Sequence, residues 1–212
     1  MQAIVDFILE LDRLKGVLRK VRPTGLDRYE NTAEHSWQIA MLGAALEAFA
    51  TEAVDIDRVV MMLLVHDVGE IETGDTIFFA EEGLSDRKAR ELAAVTRIFG
   101  LLGQTGAADV SLRAEHALSE KLLALWKEFE EATTPEARLA HAADRAMPVL
   151  LNLANRGQSW RENGIRYEQV VSRVGPPIRR GCPALWEYLE PRLEDARERG
   201  YFGEDTAANS GG

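Results

Sequence analysis

Apolar residues recur at helical spacing along almost the whole chain, and no stretch alternates apolar and polar positions between hairpin turns. The pattern predicts an all-α fold. A first helix is expected from about residue 2 to 20, stopping before Pro23-Thr24-Gly25. Asn31 followed by Glu34 has the spacing of a capping box and opens a helix through Ile39, Leu42, Leu46 and Phe49. Asp55 is placed to cap a third helix, whose unbroken run Val59-Val60-Met61-Met62-Leu63-Leu64-Val65 predicts burial on nearly all sides. That helix runs into His66 and Asp67, and a short loop is expected from Gly69 through Gly74. Further helices are predicted at roughly 85 to 102 and 108 to 131. Thr134-Pro135-Glu136 reads as N-cap, first helical residue and favourable acid, opening a helix that carries His141 and Asp144. One or two more helices follow, near 165 to 174 and 183 to 199.

Length and composition narrow this picture. With 212 residues, 46% of them hydrophobic, the chain can bury one substantial core, so a single domain is expected over residues 1–202. Residues 203–212 are small and polar and are expected to be a disordered tail. A formal net charge of -10 opposes binding to a nucleic-acid polymer and favours small ligands; an anionic ligand would need a metal or local Arg and Lys residues to offset that field. The lone Cys182 excludes an intramolecular disulfide and fits a reducing, cytoplasmic compartment. No apolar run reaches the ~18 residues that a membrane span needs. Ile4, Val5, Ile8 and Leu11, interleaved with Asp6, Glu10 and Asp12, are unlike a signal peptide.

The candidate chemistry rests on imidazoles and carboxylates dispersed over three predicted helices, as in a site built inside a bundle. Asp67 closes a strongly apolar helix, where an unmatched carboxylate would cost several kcal/mol, and a cation would relieve that cost. His35 and Asp144 would complete a mixed nitrogen and oxygen set suited to Mn, Co, Fe, Ni or Zn. Taken singly, each has an ordinary reading: His66-Asp67 as an ion pair at a helix end, His35 in a capped first turn, Asp144 in a salt bridge with Arg145. Glu70 follows His66 by four residues and shares its face if the helix continues; otherwise it is a solvated helix end, and Asp75 a turn residue after Gly74. His116 and His141 read as ordinary surface or core histidines, with a supporting role at the metal or a second metal as the alternative. Trp126, Phe129, Trp160 and Trp186 read as core or interface aromatics.

Glu34-His35-Ser36, His66-Asp67-Val68-Gly69-Glu70 and His141-Ala142-Ala143-Asp144-Arg145, in that order, resemble the HD-domain metal-dependent phosphohydrolases, in the branch of the bacterial 5′-deoxynucleotidases. The segments Glu30 to Trp37, Thr73-Gly74-Asp75 and Leu125 to Glu130 are similar to that branch as well. The resemblance implies His35, His66, Asp67 and Asp144 as ligands of a divalent metal (Mn, Co, Ni, Fe, Zn or Mg), Glu70 and Asp75 as catalytic carboxylates, and a homodimer. It implies Arg19 as a phosphate contact, with Arg22 as the neighbouring alternative and a solvated helix end as the ordinary reading of either. The implied activity is metal-assisted hydrolysis of a phosphate monoester, a (deoxy)nucleoside 5′-monophosphate. In that branch a Trp that reads the missing 2′-hydroxyl follows the Arg, whereas Lys20 stands here. Other phosphohydrolase activities (triphosphohydrolase or phosphodiesterase), a diiron oxygenase, and a nucleotide-binding module without turnover are the alternatives.

Overall fold

A computed structural model describes residues 1–75, 84–103 and 110–203. Of the polar tail expected at 203–212, Gly203 is ordered, its N donating to Ile165 O at 2.9 Å, and 204–212 lie outside the described residues. The elements are α1 (Gln2–Asp12), α2 (Thr32–Ala45), α3 (Ile56–Val65), the single turn α4 (Glu70–Thr73), α5 (Leu84–Gly100), α6 (Val110–Glu131), α7 (Pro135–Ala154), the short α8 (Gln158–Glu162), α9 (Tyr167–Gly181) and α10 (Pro183–Glu198). No named strand occurs among the described residues, and the all-helical expectation holds.

The capping chemistry sets the helix starts. Asn31 Oδ1 accepts from Glu34 N at 3.0 Å while Glu34 Oε2 accepts from Asn31 N at 3.2 Å, closing the capping box of α2. Asp55 Oδ1 accepts from Arg58 N at 3.2 Å, and Thr134 Oγ1 accepts from Ala137 N at 3.1 Å with Pro135 in the first turn. Each cap satisfies backbone donors that the first helical turn leaves open.

α7 is the central helix, packing on α2, α3, α6 and α9. Its inward stripe includes Leu139, Ala142, Ala143, Ala146 and Val149, all buried, and small residues there let neighbouring backbones come close. Gly181 in α9 shows how close: a Cβ there would lie 2.0 Å from the Arg138 carbonyl oxygen. Gly43 allows a similar approach of α2 to Leu63 in α3. One hydrophobic core cluster extends from Phe7 to Phe202.

The structure corrects the sequence reading in three places. The first helix does not reach residue 20: α1 ends at Asp12, one 3-10 turn covers Arg13–Gly16, and the chain then runs extended. Arg19 N donates to Glu30 O (2.8 Å), Glu30 N to Val21 O (2.9 Å) and Thr32 N to Val17 O (3.0 Å), an antiparallel pairing centred on Leu18 and Asn31. β-Branched Val17 and Val21 suit this extended backbone. Second, the segment after Gly69 is not a loop: Gly69 keeps helical angles and α4 follows at once. Third, the apolar run of α3 is not enclosed on all sides, because Leu64 is 40% exposed. The four aromatics read as core or interface residues are all buried in the core, and Trp126, Phe129 and Trp160 also line a cavity.

Candidate active site

Three helices deliver the candidate ligands to one place. His35 sits in the first turn of α2, His66 is the C-cap of α3, and Asp144 lies midway along α7; one donor atom from each falls within 4.8 Å of the others. All three are buried. His35 Nε2 stands 3.1 Å from Asp144 Oδ1, and His66 Nε2 is 3.8 Å from the same oxygen. Asp67 Oδ2 lies 2.9 Å from His66 Nε2, yet the angles leave His66 Nε2 without a hydrogen bond.

The histidine surroundings prepare the rings as ligands. His66 Nδ1 is 2.9 Å from the Leu63 carbonyl, which can only accept, so the proton sits on Nδ1 and Nε2 points into the site. The Trp126 indole N–H donates to the His66 carbonyl at 2.9 Å, fixing the backbone of the same residue from α6. A buried, unpartnered imidazole nitrogen facing a carboxylate-lined pocket is the arrangement that a divalent metal satisfies, and two nitrogens with Asp67 and Asp144 beside them suit first-row ions. The residues present therefore fit the group.

Without a cation, charge is balanced internally. Burial alone would lower His66, but Asp67 and Asp144 outweigh it and pull the imidazole up to about 9. Burial and the nearby Arg19 guanidinium push His35 down to about 4, so that ring is neutral. Burial would raise Asp67 and Asp144, but His66 and Arg19 hold Asp67 well below its ordinary value, and Arg145 and His35 do the same for Asp144. Burial and the Asp67 charge push Glu70 up to about 9, which makes it a neutral acid at pH 7.

Arg19 holds the carboxylates together. Its Nη1 donates to Asp67 Oδ2 at 3.0 Å and lies 3.7 Å from Asp75 Oδ1, while Nε is 3.7 Å from Glu30 Oε2. Glu70 Oε2 accepts from Thr32 Oγ1 at 3.0 Å, and Glu70 Oε1 lies 3.7 Å from Arg87 Nη2. Arg19, Asp67, Glu70, Asp75 and Arg87 border a cavity of about 330 Å³. Its lining combines charged groups, Lys20 and Asp144 among them, with apolar ones such as Trp126, Phe129, Val149 and Trp160.

A family model described as an HD domain matches residues 11–186, a span that contains every residue named in this constellation. The chain belongs to the HD-domain family. It is 26% identical over 151 residues to the 5′-deoxynucleotidase HDDC2 of Danio rerio, covering 69% of this chain and 68% of that protein. It is 30% identical over 134 residues to the 5′-deoxynucleotidase YfbR of Escherichia coli, covering 58% and 66%. A solved structure from Magnetospirillum magnetotacticum MS-1, described as a predicted metal-dependent phosphohydrolase, superposes with a TM-score of 0.83 at 37% identity over 96% of this chain and 95% of that one. A protein from Pyrococcus horikoshii, at 21% identity and a TM-score of 0.59, shares the fold.

The remaining sequence candidates separate clearly within the HD fold. His141 is stacked on Phe129 at a centroid distance of 4.1 Å and donates from Nε2 to the Phe129 carbonyl at 2.7 Å, so it braces the cavity wall. His116 is 65% exposed and 3.4 Å from Glu120. Arg22 pairs with Asp27 and Glu162 at the surface, away from the ligands. Arg145 does lie beside Asp144, with Nε 3.5 Å from Oδ2. Sequence reasoning passed over Glu30, which is only 1% exposed, and Arg87. Glu30 is raised by burial, against the opposing pull of Arg19, to about 7. An acid two residues before a helix is ordinarily solvated, and only the pairing of residues 17–21 with 30–32 buries this one.

Proposed function

We propose that this HD-domain protein is a metal-dependent phosphohydrolase that releases phosphate from a nucleoside 5′-monophosphate, with His35, His66, Asp67 and Asp144 as metal ligands. The observation that carries the reading is the meeting of His35, His66 and Asp144 from three helices, with Nε2 of His66 orphaned, near an arginine that lines a cavity. The names of the nucleotidase relatives point to the same substrate class. A divalent cation held by these four residues would supply Lewis-acid activation of water and offset phosphate charge.

The protein's own groups account for the rest. Arg19 carries a planar fork of donors suited to the nonbridging phosphate oxygens. A phosphate drawing on Arg19 would compete with Asp67 and Asp75 for the guanidinium, and the cation would compensate Asp67. Glu70, neutral at pH 7 and buried against Thr32, is suited to give a proton to the leaving 5′-oxygen, and the Asp75 carboxyl to orient the attacking group. The apolar side chains lining the cavity would receive the nucleoside, giving contact area without charge. Lys20 lines the cavity, so selection against the 2′-hydroxyl has no tryptophan at that position.

Phosphate release from a panel of ribo- and deoxyribonucleoside monophosphates, by metal-stripped protein with and without Mn, Co, Ni, Zn or Mg, tests this reading. Metal-dependent release confined to 5′-monophosphates supports it, with similar rates on both sugars as the expected consequence of Lys20. No release with any of these ions and substrates refutes it. Asp67→Ala and Asp144→Asn should each reduce turnover by roughly 10³-fold or more, because the ligands act as a unit. We further propose a homodimer, for which the exposed Ile8, Leu9, Trp37 and Met41 supply apolar surface; sedimentation at micromolar protein tests it.

A further inference from the structure

Glu30 lies behind two of the groups described above and has no assigned role. Its carboxylate is buried, and Oε2 makes no hydrogen bond; Nδ1 of the fully buried His35 makes none either. The two orphaned atoms face each other at 3.6 Å, and Arg19 Nε approaches the same Oε2 at 3.7 Å. A buried carboxylate oxygen without a donor is costly, as is a buried imidazole nitrogen without a partner, so their juxtaposition calls for an explanation. The backbone makes it deliberate: Arg19 N donates to Glu30 O and Glu30 N to Val21 O, which locks the acid opposite the arginine, while the Asn31 capping box fixes where His35 falls in the next turn.

We infer that Glu30 is a positioning residue shared by the metal site and the phosphate site: its carboxylate faces Nδ1 of His35 and would accept the Nδ1–H once Nε2 takes a metal, and it faces the guanidinium of Arg19 at Nε, orienting the Nη groups, of which Nη1 meets Asp67, toward the cavity. The inference rests on the proposed ligand role of His35. When Nε2 of an imidazole binds a metal, the ring proton must reside on Nδ1, and a carboxylate acceptor there fixes both tautomer and ring orientation. His66 meets the same requirement through the Leu63 carbonyl, so the two histidines are anchored by different acceptors, one neutral and one anionic. Only the anionic acceptor also contacts Arg19. Substitution of Glu30 should therefore weaken metal binding and substrate binding together, although it would touch neither the metal nor the substrate.

The test is Co²⁺ affinity by titration calorimetry on chelator-stripped protein, in wild type, Glu30→Met, Glu30→Ala, Glu30→Gln, Glu34→Gln and His35→Ala. Glu30→Met keeps the volume and removes both acceptors; it should bind Co²⁺ about 10- to 100-fold more weakly. Glu30→Gln, which keeps one acceptor oxygen, should recover most of that loss. Glu34→Gln, one turn away in the capping box, should bind as wild type. In Zn²⁺-loaded, ¹⁵N-histidine-labelled protein, the His35 Nδ1–H resonance should be present in wild type and shifted in Glu30→Met. In the Co²⁺-loaded variant, KM for a nucleoside monophosphate should also rise. Wild-type Co²⁺ affinity in folded Glu30→Met overturns the inference, and equal weakening in Glu34→Gln reduces Glu30 to a structural role and does the same. If Glu30→Ala does not fold, Glu30→Met decides. Failure of wild type to bind Co²⁺, or unchanged binding in His35→Ala, would instead refute the ligand set itself.

Discussion

Replacing Glu70 by Gln should make the metal-free protein more stable while removing most of its activity, and the two effects have one cause. Glu70 is 4% exposed, receives the Thr32 hydroxyl at 3.0 Å and lies near the ionised Asp67, so burial and that charge push its pKa from 4.5 to about 9. A group raised in the folded state binds a proton there that the unfolded chain has released, so stability falls as pH rises from about 4.5 to about 9. At pH 7 the cost is about 3 kcal/mol, and at pH 4 it is close to nothing. Gln carries no charge, has nearly the same shape and can still accept from Thr32, so it escapes this cost. Chemical denaturation in the presence of chelator should give Glu70→Gln a lead of about 2–3 kcal/mol at pH 7, widening toward pH 9 and vanishing near pH 4. For a chain of this size that lead is a rise in Tm on the order of 5–10 °C. Phosphate release by the metal-loaded variant should fall by about 10²- to 10⁴-fold, the usual effect of losing a proton donor. A stability lead as large at pH 4 as at pH 8 would show that packing separates the two proteins, and the argument from charge would then fail. A stabilised variant with wild-type turnover would remove Glu70 from the chemistry.

Three further outcomes follow from the same geometry. Because His66 is held up near 9 in the metal-free protein, metal binding at pH 7 should release about one proton, with affinity rising about tenfold per pH unit toward pH 9; calorimetry in buffers of different ionisation enthalpy measures this, and zero net release at pH 7 contradicts it. Arg19→Lys should not rescue function, because one ammonium cannot span Asp67, Asp75 and Glu30; KM should rise and kcat fall about as much as in Arg19→Ala, and a near-wild-type Lys variant would oppose the bridging role. Gly181→Ala should destabilise the fold by about 3 kcal/mol or more, since its Cβ would meet the Arg138 carbonyl at 2.0 Å and force α9 off α7; thermal unfolding within 1 °C of wild type would contradict that crossing.

The parts legible in the sequence were those specified over short distances. Asn31 with Glu34, Asp55, and Thr134 with Pro135 announce their helices because a cap and its first turn lie within four residues, and the structure has all three. The candidate ligands were legible only as an ordered set: each of His35, His66 and Asp144 has an ordinary local reading, and the folding of α2, α3 and α7 against one another gives them a shared purpose. The helix predicted to residue 20 failed at Gly16, a poor helix former that the apolar pattern alone passes over; beyond it the chain is held extended by hydrogen bonds to Glu30 and Thr32, which no local signal in Leu18-Arg19-Lys20 announces.

That failure fell at the candidate site. Had α1 continued to residue 20, Arg19 would sit on a helix with its backbone donors spent within the helix, and Glu30 would have no partner strand to bury it. Giving up those helical turns brings Arg19 to Asp67 and Asp75, and Glu30 to His35. The cost is a buried carboxylate with an unpaired oxygen and a cluster of acids around one arginine, which a well-packed apolar segment would avoid. A fold selected for stability alone would not retain that arrangement. Its retention is the physical argument that the segment from Val17 to Thr32 serves the site, with the helices around α7 as the scaffold that holds it in place.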